Sequence, residues 1–222
     1  MEKEKEYKIH QSMEKLENLV AENLLKIKAI KVQPQNPFTW ASGWKSPIYC
    51  DNRKTLSYPD IRTFIKIEIA RIIREKYPDV EVIAGVATGA IAQGAMVADE
   101  LGLPFVYVRS APKDHGLENL IEGDLKNAQK VVVVEDLVST GKSSLKAVEA
   151  IRKAGCEVLG MIAIFTYGFP IAAEQFKAEK CELTTLSNYE AVLEHLLKKE
   201  LISEDDKATL SEWRKTPETW GK

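Results

Sequence analysis

Apolar positions in the first third of the chain follow a helical period. Met13, Leu16, Leu19, Val20, Leu24, Ile27 and Ile30 predict a long amphipathic helix that ends near Gln33-Pro34. Residues 37–53, P-F-T-W-A-S-G-W-K-S-P-I-Y-C-D-N-R, fit neither the helical nor the strand period. Such an aromatic loop, punctuated by Gly and Pro, packs as a lid or offers backbone amides and ring faces to a planar ligand. Residues 58–77 return to a helix, with Ile61, Phe64, Ile65, Ile69, Ile72 and Ile73 inward and Arg62, Lys66, Arg71 and Arg74 on a solvated face. A strand at 80–86, a helix at 91–101 and a strand at 105–108 come next. Residues 110–129 are polar and sparsely apolar, which inside a compact domain signals a functional lid. Val131 to Val134 is a β-branched run suited to a strand buried on both faces, and from Lys142 the residues Leu145, Val148 and Ile151 restore helical spacing. A strand at 157–165, a helix through Ala172, Ala173 and Phe176, and a strand at 181–186 complete the alternation, followed by two tail helices, the second capped by Ser203. Strands alternating with helices predict an α/β fold: a central parallel sheet flanked by helices, with crevice-forming loops at the strand ends.

Composition narrows this little. The chain has 222 residues, enough for one domain with elaborations, and 31 basic against 33 acidic side chains leave a formal charge of −2. The charges are interspersed, so no broad face for nucleic acid is expected. Cys50, Cys156 and Cys181 are far apart and read as reduced, buried thiols. His10, His115 and His195 have no metal-ligand spacing, and His195 reads as helix surface or packing. The charged N-terminus has no apolar signal core and no run reaches membrane-spanning length, so a cytoplasmic protein with no membrane partner is expected.

Chemistry concentrates in residues 130–144, K-VVVV-E-D-L-V-S-T-G-K-S-S. Glu135 and Asp136 cannot sit unpartnered inside the sheet, so they are expected to face the crevice, where carboxylates accept hydroxyl protons. Ser139, Thr140, Gly141, Lys142 and Ser143 fall where a helix begins and its free N–H groups bind phosphate. Acids beside a phosphate cradle suit a phosphorylated ribose. A Walker loop would need glycine at 136, where this chain has Asp136, and no G-x-G occurs to support a dinucleotide fold. A bland strand, loop and helix accounts for the valines but not for adjacent acids followed by five small polar residues. The turn G-V-A-T-G-A-I-A-Q-G at 85–94 allows a pyrophosphate to approach the amides of Thr88 and Gly89, and serves equally as a tight strand–helix turn. Arg109, Lys113, Asp114 and His115 gather charge in R-S-A-P-K-D-H-G.

The 130–144 stretch resembles the phosphoribosyl-pyrophosphate (PRPP) signature of type I phosphoribosyltransferases. F-T-W-A-S-G-W-K-S-P-I-Y-C-D-N-R and R-x-x-x-K-D-H-G are similar to the hood segment and catalytic loop of orotate phosphoribosyltransferases. The resemblance implies one type I phosphoribosyltransferase domain over 1–222, with hood elements at about 1–57 and 187–222 and a core at about 58–186. It implies transfer of phosphoribosyl from PRPP to N1 of orotate, a step of pyrimidine (UMP) biosynthesis. Residues 139–143 would hold the 5′-phosphate, with Leu137 and Val138 in the same PRPP stretch, and Glu135 and Asp136 would hold the ribose hydroxyls. Thr88 and Gly89, with Arg109, Lys113 and His115, would take the pyrophosphate, and Lys113 would make the decisive contact. Lys113, Asp136, Arg109 and His115 would be the catalytic set. Ile48, Tyr49, Cys50 and Ser139 would meet orotate. Magnesium would arrive with the diphosphate, without a protein cage, and a homodimer would carry the 109–129 loop into the neighbouring site. The chain departs from some members at Ala41, Gly89 and Ser110, where they carry lysine, and F-T-Y-G-F lacks their arginine for the base carboxylate. A purine or uracil phosphoribosyltransferase would share the central motif but not the K-D-H-G loop and aromatic hood. A regulator on the same fold would bind PRPP as a signal.

Overall fold

The computed structural model describes residues 2–40, 43–111 and 120–221, with side chains from Gln11 onward. Helix α1 (Glu2–Lys26) leads into two short hairpins, β1 (Ile30–Val32) with β4 (Ile48–Cys50) and, between them, β2 (Phe38–Thr39) with β3 (Lys45–Ser46). A 3₁₀ turn, Asn52–Ser57, connects to α2 (Pro59–Lys76). The remainder alternates: β5 (Val82–Val86), α3 (Ile91–Leu101), β6 (Phe105–Val108), β7 (Ile121–Glu122), β8 (Lys130–Val138), α4 (Lys142–Lys153), β9 (Glu157–Thr166), α5 (Pro170–Ala178), β10 (Leu183–Asn188), α6 (Tyr189–Lys198) and α7 (Glu204–Lys215). The sheet order is β10-β9-β8-β5-β6-β7, parallel except for the antiparallel β6–β7 pair.

The valine run shows why this sheet is sandwiched. Successive side chains of a strand point to opposite faces. Val132 and Val134 enter a core shared with α1, α2, α3, α6 and α7, whereas Val131 and Val133 enter a second core under α4 and α5. Both faces are covered, as an unbroken β-branched run requires.

The sequence reading needs several corrections. The first helix stops at Lys26 because Lys28 turns to φ 56°, and Ile30, in phase with the helix, instead pairs with Cys50 across β1 and β4. The 37–53 stretch carries three short strands. β5 begins at Val82, since Val80 closes a turn onto Tyr77, and β10 begins at Leu183, since Cys181 N–H caps α5 at Phe176 O. Part of the supposed lid is strand β7. β8 does not end before its acids: it runs on to Val138, pairing Leu137 with Phe165 and Val138 with Thr166 of β9. The three cysteines are buried and free. Ser203 caps α7 in a reciprocal box with Asp206, each side chain accepting the other's backbone N–H at 3.1 Å. Among the described residues no helix is long and apolar enough to cross a membrane.

α7 returns to the front of the chain through Trp213, whose side chain is fully buried. Its ring lies 5.4–5.8 Å from those of Trp40, Tyr167, Phe169 and Tyr189, and its Nε1–H donates to Lys45 O at 3.1 Å. The aromatic loop is thereby fastened above the C-terminal ends of the strands.

Candidate active site

At the carboxyl ends of β5 and β8 lies an open cavity of about 410 Å³. Its floor is Glu135, Asp136 and Leu137 of β8, followed by Ser139, Thr140, Gly141 and Ser143 at the start of α4. Gly141 (φ 85°) is the residue before the helix, and no side chain caps it, so the first N–H groups of α4 are left to a ligand. One wall is the turn after β5, with Ala87, Thr88 and Gly89, and the opposite wall is Cys50, Asp51 and Arg53.

Only one of the paired acids faces this space freely. Glu135 is 4% exposed: its Oε1 accepts the N–H of Asp136 at 2.9 Å and its Oε2 accepts the Ser144 hydroxyl at 2.8 Å. The expectation that both carboxylates stand in the crevice is thus corrected for Glu135, because two buried donors draw it beneath the strand. Burial, and then the charge of Asp136, hold its carboxyl well above the usual carboxylate range. Burial also raises Asp136, but its contact with Glu135 and the charge of Arg53 pull it down, so Glu135 is the member that keeps the proton. Above the ordinary carboxylate pKa the folded chain alone retains that proton, so this group's contribution to stability falls as pH rises through the folded value. Glu135→Gln keeps an acceptor for Asp136 N–H and reverses the bond to Ser144, whose hydroxyl then accepts from the amide, and it carries no titrating proton. It should flatten the decline in urea midpoint as pH rises above the ordinary carboxylate range; a slope equal to wild type would mean that Glu135 ionises in place.

Gly89 sits against Asp136 so closely that a Cβ there would meet the carboxylate within 3.0 Å. A glycine brings the β5 turn and the acid together, with the Thr88 and Gly89 amides on the same cavity.

A second cavity of about 310 Å³ opens on the β6 side, between Arg109, Ser110, Lys142 and Lys146. Arg109 Nη1 stands 3.6 Å from Glu122 Oε1 of β7, and Arg109 N–H donates to Leu120 O at 2.8 Å, so residues 109 and 120 stand side by side. Lys113 and His115, with Asp114, lie outside the described residues, as does Ala41.

Not every expected residue reaches the cavities. Val138 points into the core, and its carbonyl takes the Thr166 hydroxyl at 3.1 Å and Tyr167 N–H at 3.2 Å. Ile48 is fully buried, and its N–H and C=O are occupied by Ser46 Oγ (3.2 and 2.7 Å), the carbonyl also by Trp40 Nε1 at 3.3 Å. Its backbone is therefore unavailable to a base. Tyr49 is exposed beside Phe38, Cys50 lines the cavity, and Lys142 lines the second one.

Three residues escaped the sequence reading. Asn52, 2% exposed, donates from Nδ2 to Asp136 O at 2.5 Å and accepts the Cys50 thiol at 3.2 Å on Oδ1. Arg53 forms a two-pronged pair with Asp51, Nε to Oδ1 at 2.7 Å and Nη2 to Oδ2 at 3.1 Å, which holds the Asp51 carboxyl below its ordinary range. The available signal was D-N-R directly after an apolar strand. Among the described residues, no three His, Cys, Asp or Glu side chains gather as metal ligands.

Comparison with known proteins agrees with this geometry. A family model described as "Phosphoribosyl transferase domain" matches residues 60–196. Orotate phosphoribosyltransferases of Phocaeicola vulgatus and Bacteroides thetaiotaomicron are 69% and 70% identical over 208 residues, 94% of this chain and 98% of theirs. The orotate phosphoribosyltransferase of Porphyromonas gingivalis is 66% identical over 94% of this chain and 100% of its own. Among solved structures, orotate phosphoribosyltransferase from Aeropyrum pernix superposes with a TM-score of 0.72 at 27% identity, over 83% of this chain and 99% of that one. Leishmania donovani UMP synthase gives 0.72 at 26% identity, over 89% of this chain and 42% of that longer one. On full-length identity and on fold alike, the chain belongs to the orotate phosphoribosyltransferase family.

Proposed function

We propose that this chain transfers the 5-phosphoribosyl group from PRPP to N1 of orotate, releasing orotidine 5′-monophosphate and pyrophosphate in pyrimidine biosynthesis. One observation carries the reading: a single cavity joins the Asp136 carboxylate, an uncapped helix start and an open glycine turn. The 5′-phosphate docks on residues 139–143, where the first α4 amides and the hydroxyls of Ser139, Thr140 and Ser143 meet it, with Lys142 on the adjoining cavity. Asp136 accepts the ribose hydroxyls, and its charge favours the cation that builds on the ring as the anomeric bond breaks. Pyrophosphate leaves toward Thr88 and Gly89, with Arg109, Lys113 and His115 neutralising it. The base lies under the 37–53 segment, against Tyr49 and Cys50, with Ser139 within its reach. Magnesium, carried on the diphosphate, neutralises phosphate charge; the open Asp136 carboxylate beside bound phosphates fits a hard cation that brings its other ligands along. The working unit is a cytoplasmic homodimer in which the 109–129 loop serves the neighbouring site.

The reading is tested by assaying orotate, uracil, adenine and hypoxanthine with PRPP and magnesium. Turnover with orotate alone is expected, and preference for another base would overturn it. Loop sharing is tested by mixing inactive Lys113→Ala subunits with inactive Asp136→Asn subunits. Mixed dimers should regain one intact site; no recovery after verified subunit exchange would place the loop in its own subunit's site.

A further inference from the structure

Orotate differs from uracil by a carboxylate on the ring, and the cavity as assigned so far repels it. The Asp136 carboxylate lines that space, and a second anion beside it is costly unless a cation meets it. The segment after β9 supplies none: Phe165, Tyr167 and Phe169 are buried in the aromatic cluster around Trp213. Arg214, which reaches that segment, is committed to Gly168 O (3.2 and 3.3 Å) and to Glu190.

Among the described residues lining the 410 Å³ cavity, Arg53 is the one basic side chain. Its geometry is suited to an anionic ligand. A guanidinium has five N–H donors in a fixed fork. The pair with Asp51 uses one on Nε and one on Nη2, along the side of the fork. The end of the fork, Nη1 and the outer N–H of Nη2, takes no part in that pair, and the side chain is 58% exposed. That end matches a carboxylate two-to-two. Asp51 fixes the plane, so little side-chain entropy remains to be lost when a ligand arrives. The position also fits the base: Arg53 is three residues beyond Cys50, and its charge is felt at Asp136, the acid assigned to the sugar.

We propose that Arg53, aligned by Asp51, receives the carboxylate of the pyrimidine base and sets the preference for an acidic base over uracil. The proposal rests on the orotate reading given above. It is tested by steady-state kinetics of full-length Arg53→Gln, Arg53→Lys and Asp51→Asn, with uracil as a carboxylate-free competitor. Arg53→Gln should raise KM for orotate by about 10-fold or more while leaving KM for PRPP and the inhibition constant of uracil within about 2-fold. Arg53→Lys should recover part of the loss, and Asp51→Asn should fall between. An unchanged KM for orotate would overturn the proposal, and so would an equal rise in the PRPP and uracil constants, which would place Arg53 on the diphosphate or in general packing. Wild-type protein that does not use orotate at all would instead overturn the functional reading. Thermal melts of each variant separate these outcomes from misfolding, and if Arg53→Gln fails to fold, the Asp51→Asn and Arg53→Lys constants decide the question.

Discussion

Replacing Gly89 with alanine should lower turnover by at least about 100-fold, close to 3 kcal/mol in the barrier, while leaving the urea midpoint near wild type. The added methyl group would stand within 3.0 Å of the Asp136 carboxylate, closer than a real Cβ approaches. Asp136 cannot retreat with its backbone: β8 is held between β5 and β9, and the Asp136 carbonyl is tied to Asn52 Nδ2 at 2.5 Å. The side chain must therefore rotate away from its place on the cavity, where the proposed function has it meet the sugar. Gly89 has no special backbone angle, so the substitution brings no strain of its own beyond that contact. Single-turnover rates and urea melts measured on the same preparation check this. Turnover within a few-fold of wild type would show that Asp136 need not stand where it does.

Trp213→Ala should cost about 3–5 kcal/mol of folding stability, roughly 1–2 M in urea midpoint. The indole is completely buried among four other rings, and its N–H donor satisfies Lys45 O. Its removal leaves a large cavity and an unpaired carbonyl where α7 meets the aromatic loop. Trp213→Phe, which refills most of the volume without the donor, should recover more than half of the loss. Urea melts at neutral pH measure both; a loss under about 1 kcal/mol for the alanine variant would mean that α7 is held elsewhere.

The alternation of strands and helices was legible because each of the five parallel strands carries enough apolar residues to fill two cores, as Val131 to Val134 do. Strand ends were less legible, since they depend on partners. Nothing in E-D-L-V tells that Leu137 and Val138 find Phe165 and Thr166, and so the acids read as the end of a strand that in fact carries them inside it. Ile30 shows the same limit: it keeps the helical phase, yet the chain reverses at Lys28 and gives it to Cys50. In the site, the small-residue start of α4 and the acid pair announced themselves by local composition. Asn52 did not, because its partner is a backbone carbonyl 84 residues away and its own neighbours are merely polar. Arg53 stayed hidden for a related reason: a surface arginine gains meaning only when Asp51 fixes its direction toward a cavity built from distant strands.

The Asn52 side chain spans two halves of the molecule, with the Cys50 thiol on its oxygen and the peptide carbonyl of Asp136 on its nitrogen. A single amide thus serves as a strut between β4 and β8 on the rim of the cavity. Neither can drift without dragging the other, so under the proposed function the alignment of base and sugar is built in before either reactant enters.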